Sequence, residues 1–102
     1  MNELIKSENE NQIVGCGFGE IRKNDEPYLN KHIGYIGLMY IDGKYRGEGI
    51  GKLIISLLFN WFKEKQIMDI RLKVYSENGI AISAYVNYGF KEFVTEMRTV
   101  LE

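Results

Sequence analysis

Apolar positions change their spacing several times along the chain, and each change marks a different element. Met1 to Asn11 is polar apart from Leu4-Ile5 and forms either a short edge strand or a loose terminus. From Gln12 to Arg22 the spacing is two. Val14, Cys16 and Phe18 share one face, while Gly15, Gly17 and Gly19 leave the other without side chains. A bare strand face needs a neighbour at short range, either a packed helix or a ligand, and the helix is the commoner case. Asn24-Asp25-Glu26-Pro27 carries turn chemistry and ends this strand. A second strand follows over His32 to Ile41, with Ile33, Tyr35, Gly37, Met39 and Ile41 on one side and Gly34, Ile36, Leu38 and Tyr40 on the other. Both sides are apolar, which predicts a central strand covered on both faces.

After a turn at Asp42-Gly43-Lys44 the period lengthens. Lys52, Ser56, Asn60 and Lys63-Glu64 recur about every four residues, a narrow wet stripe on a helix from Lys52 to Lys65 whose other positions are nearly all apolar, so the helix should be mostly buried. Asp69 to Tyr75 returns to period two, with Ile70, Leu72 and Val74 against Arg71, Lys73 and Tyr75. Strand, helix and strand in that order predict a parallel pair with a right-handed crossover. Ser76-Glu77-Asn78-Gly79 offers capping side chains for a short helix over Ile80 to Tyr88, and Gly89 suits its C-terminal position. Phe90 to Leu101 is strand-like, with Phe93, Met97 and Leu101 expected to point inward.

A chain of 102 residues, 45% of them hydrophobic, supports one domain over residues 1–102 with one core. Its 13 basic and 14 acidic side chains give a net charge of −1, which excludes a global basic field for nucleic acid or anionic membrane. The lone Cys16 excludes an internal disulfide and a multi-thiolate metal site, and no metal site is expected. With no leader and no spanning apolar run, a cytoplasmic protein is expected.

Candidate chemistry concentrates in Tyr45-Arg46-Gly47-Glu48-Gly49-Ile50-Gly51, between the second strand and the long helix. Glycines at alternate positions allow a tight bend, the helix presents unpaired N–H groups and a positive dipole end, and Arg46 adds fixed charge, together an anion cradle. It is not a Walker A loop, since Gly51-Lys52 is followed by Leu53, nor is the glycine spacing that of G-x-G-x-x-G.

Arg46-x-x-Gly49-x-Gly51, preceded by Leu38-Met39-Tyr40-Ile41 and followed by the long helix, resembles the acetyl-coenzyme A signature of the GNAT superfamily of N-acetyltransferases. Asn78-x-x-Ala81-Ile82-x-x-Tyr85-x-x-x-Gly89-Phe90 is similar to the segment those enzymes carry after their next strand, and the resemblance runs from Val14 to Leu101. It implies an α/β (α+β) fold with a mixed, largely antiparallel sheet, a central buried helix and a second short helix. It further implies that the pyrophosphate of acetyl-coenzyme A rests on Arg46, Gly47, Glu48, Gly49, Ile50, Gly51 and Lys52. The pantetheine arm would pair with the backbone of Met39, Tyr40 and Ile41 where this strand splays from the strand at Leu72 to Tyr75. Asn78 would contact the cofactor.

The implied reaction is direct attack of a primary amine, of a small molecule or a peptide, on the thioester. A backbone N–H near Tyr40 or Ile41 polarises the carbonyl, and Tyr85 protonates the departing thiolate. His32 and Glu20 are the two candidates for general base. Cys16 sits on an ordinary alternating strand and is left out of the site. A complete family member opens with a further strand and two helices that roof the acceptor site, for which there is no room before Val14. A homodimer in which a second copy supplies that cover is therefore expected, or else a longer gene product of which this is a piece. The alternative function is a non-catalytic acyl-coenzyme A binding or regulatory module.

Overall fold

A computed structural model describes residues 2–9, 12–23, 32–45, 47 and 49–102. Strand β1 (Asn2–Asn9) pairs antiparallel with β2 (Gln12–Lys23), which pairs antiparallel with β3 (His32–Ile41). A 3-10 turn (Gly43–Tyr45) leads to helix α1 (Ile50–Glu64), after which β4 (Ile70–Leu72) joins β3 in parallel. Helix α2 (Gly79–Asn87) follows. The sheet order β1-β2-β3-β4 makes β1 the edge strand that the polar N-terminal stretch allowed. The Asn24–Pro27 turn lies outside the described residues.

Helix α1 packs against β1, β2 and β3, and the glycines of β2 are the reason it fits. A methyl group built at Gly17 would lie 2.5 Å from Ile54 Cγ2 and 2.9 Å from Met39 Sδ; one at Gly34 would lie 2.6 Å from Phe62 Cε1. Gly15 and Gly19 are similarly crowded by Ile50, Ile54, Leu58 and Phe62. The bare strand face thus receives a helix and not a ligand. Ile54, Ile55, Leu58 and Phe62 are buried there with Ile36 and Ile67. Each large apolar side chain so covered contributes about 1.5–3 kcal/mol of gross burial.

Four expectations need correction. The helix is not mostly buried: Leu53 and Leu57 are exposed, because α1 meets the sheet along one stripe and its back is left open among the described residues. The strand expected over Asp69 to Tyr75 is only Ile70–Leu72, paired with Gly34, Tyr35 and Ile36. Phe90 to Leu101 forms no strand and no helix, and Phe93, Met97 and Leu101 do not point inward but are 72%, 89% and 89% exposed.

The fourth concerns β3. It is central in the ladder, but on the face away from α1 Leu38 and Tyr40 are about half exposed while Ile33 is buried, so that second face is covered only toward the start of the strand. The two-face division of β3 also changes midway. Phe18 pairs with Leu38 but Gly19 pairs with Ile36, leaving Gly37 as an extra residue, a β-bulge. Gly34 and Ile36 face α1 before the bulge, and Met39 and Ile41 face it afterwards. A bulge shifts side-chain parity by one, which simple alternation misses.

Candidate functional site

The site is assembled where three chain segments end. On the first, β3, pairing with β4 stops at Ile36–Leu72, immediately before the Gly37 bulge. Leu38 to Ile41 remains paired with β2 on one flank and, among the described residues, has no strand on the other. Backbone on that flank is open to an added extended chain.

The second segment is the turn into α1. Asp42 accepts a hydrogen bond at its side chain from the Lys44 N–H (3.0 Å) and at its carbonyl from the Tyr45 N–H (2.9 Å), which reverses the chain after β3. Gly47 and Gly49 have φ of 87° and 81°, a left-handed conformation that glycine adopts without steric cost, and neither would meet an atom if it carried a methyl group. Helix α1 starts at Ile50, two residues earlier than the polar spacing predicts, with Gly49 as its uncapped N-terminal residue. Its first internal bond runs from the Leu53 N–H to the Gly49 carbonyl at 3.0 Å, so the N–H groups of Ile50, Gly51 and Lys52 precede the helical ladder. No acidic side chain occupies this first turn, which favours an anion there. Arg46 and Glu48 lie outside the described residues.

Gly51 has a different role from its neighbours. A methyl group there would lie 3.0 Å from Ile41 Cδ1 and 3.2 Å from the Tyr88 hydroxyl. The third glycine therefore lets the end of β3 and the end of α2 close onto the start of α1.

The third segment is α2. The Asn78 side-chain oxygen accepts from the Ala81 N–H at 3.2 Å and caps the helix. At the other end the Gly89 N–H donates to the Val86 carbonyl and the Phe90 N–H to the Tyr85 carbonyl, both at 3.0 Å, with Gly89 at φ 104°. This Schellman closure holds Phe90 edge-on to the Tyr85 ring at 5.8 Å. Burial, with a smaller contribution from Tyr88, raises the pKa of Tyr85 and keeps its phenol protonated. Tyr88 was legible only as one of several half-buried aromatics. Its contact with Gly51 is what brings the α2 end to the cradle, and no local signal predicts it.

The two candidate bases are elsewhere. His32 is exposed at the start of β3, opposite Lys23. Glu20 faces Tyr35 across the ladder and is bonded to Arg22 at 3.1 Å, and that bond lowers its pKa. Cys16 is half-buried opposite Tyr40. An apolar cavity of about 260 Å³ between Phe59, Lys63, Ile67, Ile70 and Phe90 lies toward the far end of α1 and includes none of the predicted site residues. No helix among the described residues is long and apolar enough to cross a membrane.

Residues 4–90 match the model of the Acetyltransferase (GNAT) family. The chain is 30% identical over 86 residues to N-alpha-acetyltransferase 30 of Saccharomyces cerevisiae, covering 83% of this chain and 47% of that protein. It spans about half the length of the curated relatives it matches. Among solved structures, a putative acetyl transferase from Pyrococcus furiosus superposes with a TM-score of 0.88 at 24% identity, over 99% of this chain and 66% of that one. An aminoglycoside N-acetyltransferase in complex with CoA superposes with a TM-score of 0.80 at 17% identity, over 96% of this chain and 75% of that one. At such identities the structures speak for the fold; the family match over most of the sequence goes further, and the chain belongs to the GNAT acetyltransferase family.

Proposed function

We propose that residues 1–102 act as one acetyl-coenzyme A binding domain that transfers acetyl to a primary amine, of a small molecule or a peptide. One observation carries the reading: β3 loses its β4 neighbour at the Gly37 bulge and runs, with one flank open among the described residues, into a turn that presents the N–H groups of Ile50, Gly51 and Lys52. A ligand with an extended arm and an anionic end fits that sequence of features. Acetyl-coenzyme A, when bound, supplies the activated thioester.

In this reading Gly47, Gly49, Ile50, Gly51 and Lys52 bind the pyrophosphate through backbone N–H groups, and Arg46 and Glu48, their neighbours in sequence, are part of the same proposed site. The Met39, Tyr40 and Ile41 backbone orients the arm, and an N–H near Tyr40 or Ile41 donates to the thioester oxygen. Tyr85 gives its phenolic proton to the departing thiolate, since burial leaves the phenol in its protonated form. Asn78 contacts the cofactor through the amide group left over from capping.

Of the two bases, Glu20 is favoured. Its ladder partner Tyr35 is two residues from the Gly37 bulge, whereas His32 is five residues from it. A homodimer is part of the proposal, because the sheet face opposite α1 exposes Leu4, Leu38 and Tyr40. Calorimetric titration with acetyl-coenzyme A tests the reading first, and absence of binding would sink it. A thiol-release assay over amines that include a peptide α-amine and an aminoglycoside then separates an enzyme from a non-catalytic acyl-coenzyme A binding module.

A further inference from the structure

Tyr88 carries a hydroxyl that packing does not explain. Its ring is half-buried and rests against the core cluster, where a phenylalanine would fill the same space. Its backbone is fixed as the C-cap of α2: the Tyr88 N–H donates to the Ala84 carbonyl at 3.2 Å and to the Tyr85 carbonyl at 3.0 Å. Gly89 follows at φ 104°, so the chain turns away directly behind it. A phenol so placed ordinarily finds a partner for its O–H. Among the described residues the Tyr88 hydroxyl has none.

The hydroxyl stands at the glycine turn. A methyl group at Gly51 would lie 3.2 Å from the Tyr88 oxygen and 3.0 Å from Ile41 Cδ1. In a helix the Cα–Cβ direction leans toward the N-terminus, which is also the direction in which the leading N–H groups point. The hydroxyl therefore lies on the side that the Ile50, Gly51 and Lys52 N–H groups face, beside the end of β3 at Ile41. In that corner the extended arm of the proposed cofactor would meet its phosphate groups.

We propose that Tyr88 is a cofactor-binding residue, its O–H donating to a phosphate oxygen of the coenzyme A pyrophosphate beside the Gly51 N–H. A phenol suits this place. Its bond to an anion is charge-assisted, and it brings no fixed cation against a helix N-terminus. The assignment also gives Gly51 a reason to lack a side chain, because a methyl group there would press on the hydroxyl. It rests on the acetyl-coenzyme A reading and adds to it a contact from the C-terminal end of α2.

Calorimetric titration of the parent and of Tyr88→Phe, with coenzyme A and with pantetheine, tests it. Tyr88→Phe keeps the ring, and its urea midpoint is expected to match the parent. Its dissociation constant for coenzyme A is expected to rise about tenfold, while that for pantetheine, which lacks the phosphates, stays within about twofold. A ring that only packs would leave both constants at the parent values, and a general loosening would raise both alike; either result overturns the proposal. A parent that binds no coenzyme A would remove the acetyl-coenzyme A reading and this assignment together, whereas parent binding that Tyr88→Phe leaves untouched removes the assignment alone. A second measurement needs no variant to fold. In parent protein isotopically labelled at the tyrosine ring carbon that bears the hydroxyl, the Tyr88 magnetic-resonance signal is expected to move with coenzyme A and stay still with pantetheine. A signal unmoved at saturating coenzyme A would equally overturn the proposal.

Discussion

Tyr85 and Gly17 show how much one position can carry. Tyr85 packs against Phe90, and burial pushes its pKa above the ordinary value near 10. Folding therefore favours the protonated phenol. That contribution is complete below the unfolded pKa of about 10 and is lost as pH rises through the folded value. Tyr85→Phe should lower kcat about a hundredfold while the KM for acetyl-coenzyme A stays within about twofold, measured by thiol release. The same substitution should abolish any alkaline fall in rate that this phenol causes. An equal loss in binding and turnover would make Tyr85 a packing residue only.

Gly17 is the structural counterpart. Ile54 Cγ2 sits on a β-branched side chain that is fully buried, so it has nowhere to move when a methyl group arrives at 2.5 Å. Gly17→Ala should cost about 1–3 kcal/mol in urea denaturation, and Gly43→Ala, which meets nothing within 4 Å, should stay within about 0.5 kcal/mol. The need for glycine at Gly15, Gly17 and Gly19 was legible from alternation, and so was the packed helix behind it. Gly37 was not. Its importance comes from the register between β2 and β3, which is set by partners distant in sequence.

At the scale of elements, helices were read better than strands, for a physical reason. A helix closes its hydrogen bonds within its own segment, so the Asn78 cap, the Gly89 terminus and the apolar stripe of α1 are all local signals. A strand exists only where a partner lies beside it. Lys73 to Tyr75 alternates as well as Ile70 to Leu72 does, yet only the latter meets β3. The 91–102 segment alternates too, and it has no partner among the described residues.

The Asn78 cap gives a test that separates two roles of one residue. Asn78→Ala should lower stability by about 1 kcal/mol through loss of the bond to Ala81. Asn78→Asp keeps the cap and should restore stability. If the side chain also faces the phosphate-rich cofactor, Asn78→Asp should still weaken acetyl-coenzyme A binding, read by calorimetry, because the added charge opposes an anion. Full recovery of both quantities would confine Asn78 to capping.

The molecule as a whole is thin. Its extents are 47 × 43 × 25 Å and its radius of gyration is 15.2 Å, against about 13 Å for a compact domain of this length. One sheet with α1 packed on one side, and Leu4, Leu38 and Tyr40 exposed on the other among the described residues, accounts for that shape, and α1 is the element that joins the core to the glycine turn. The same helix that buries Ile54, Leu58 and Phe62 begins with the N–H groups of Ile50, Gly51 and Lys52. Ligand bound at that turn holds the helix that holds the core, so binding and global stability are linked. Coenzyme A at a hundred times its Kd should add about 2.7 kcal/mol and raise the melting temperature on the order of 10 °C. Pantetheine has the arm without the pyrophosphate and should bind more weakly, giving a much smaller rise at the same concentration. Equal shifts from the two ligands would mean that the open flank of β3, not the glycine turn, anchors the cofactor.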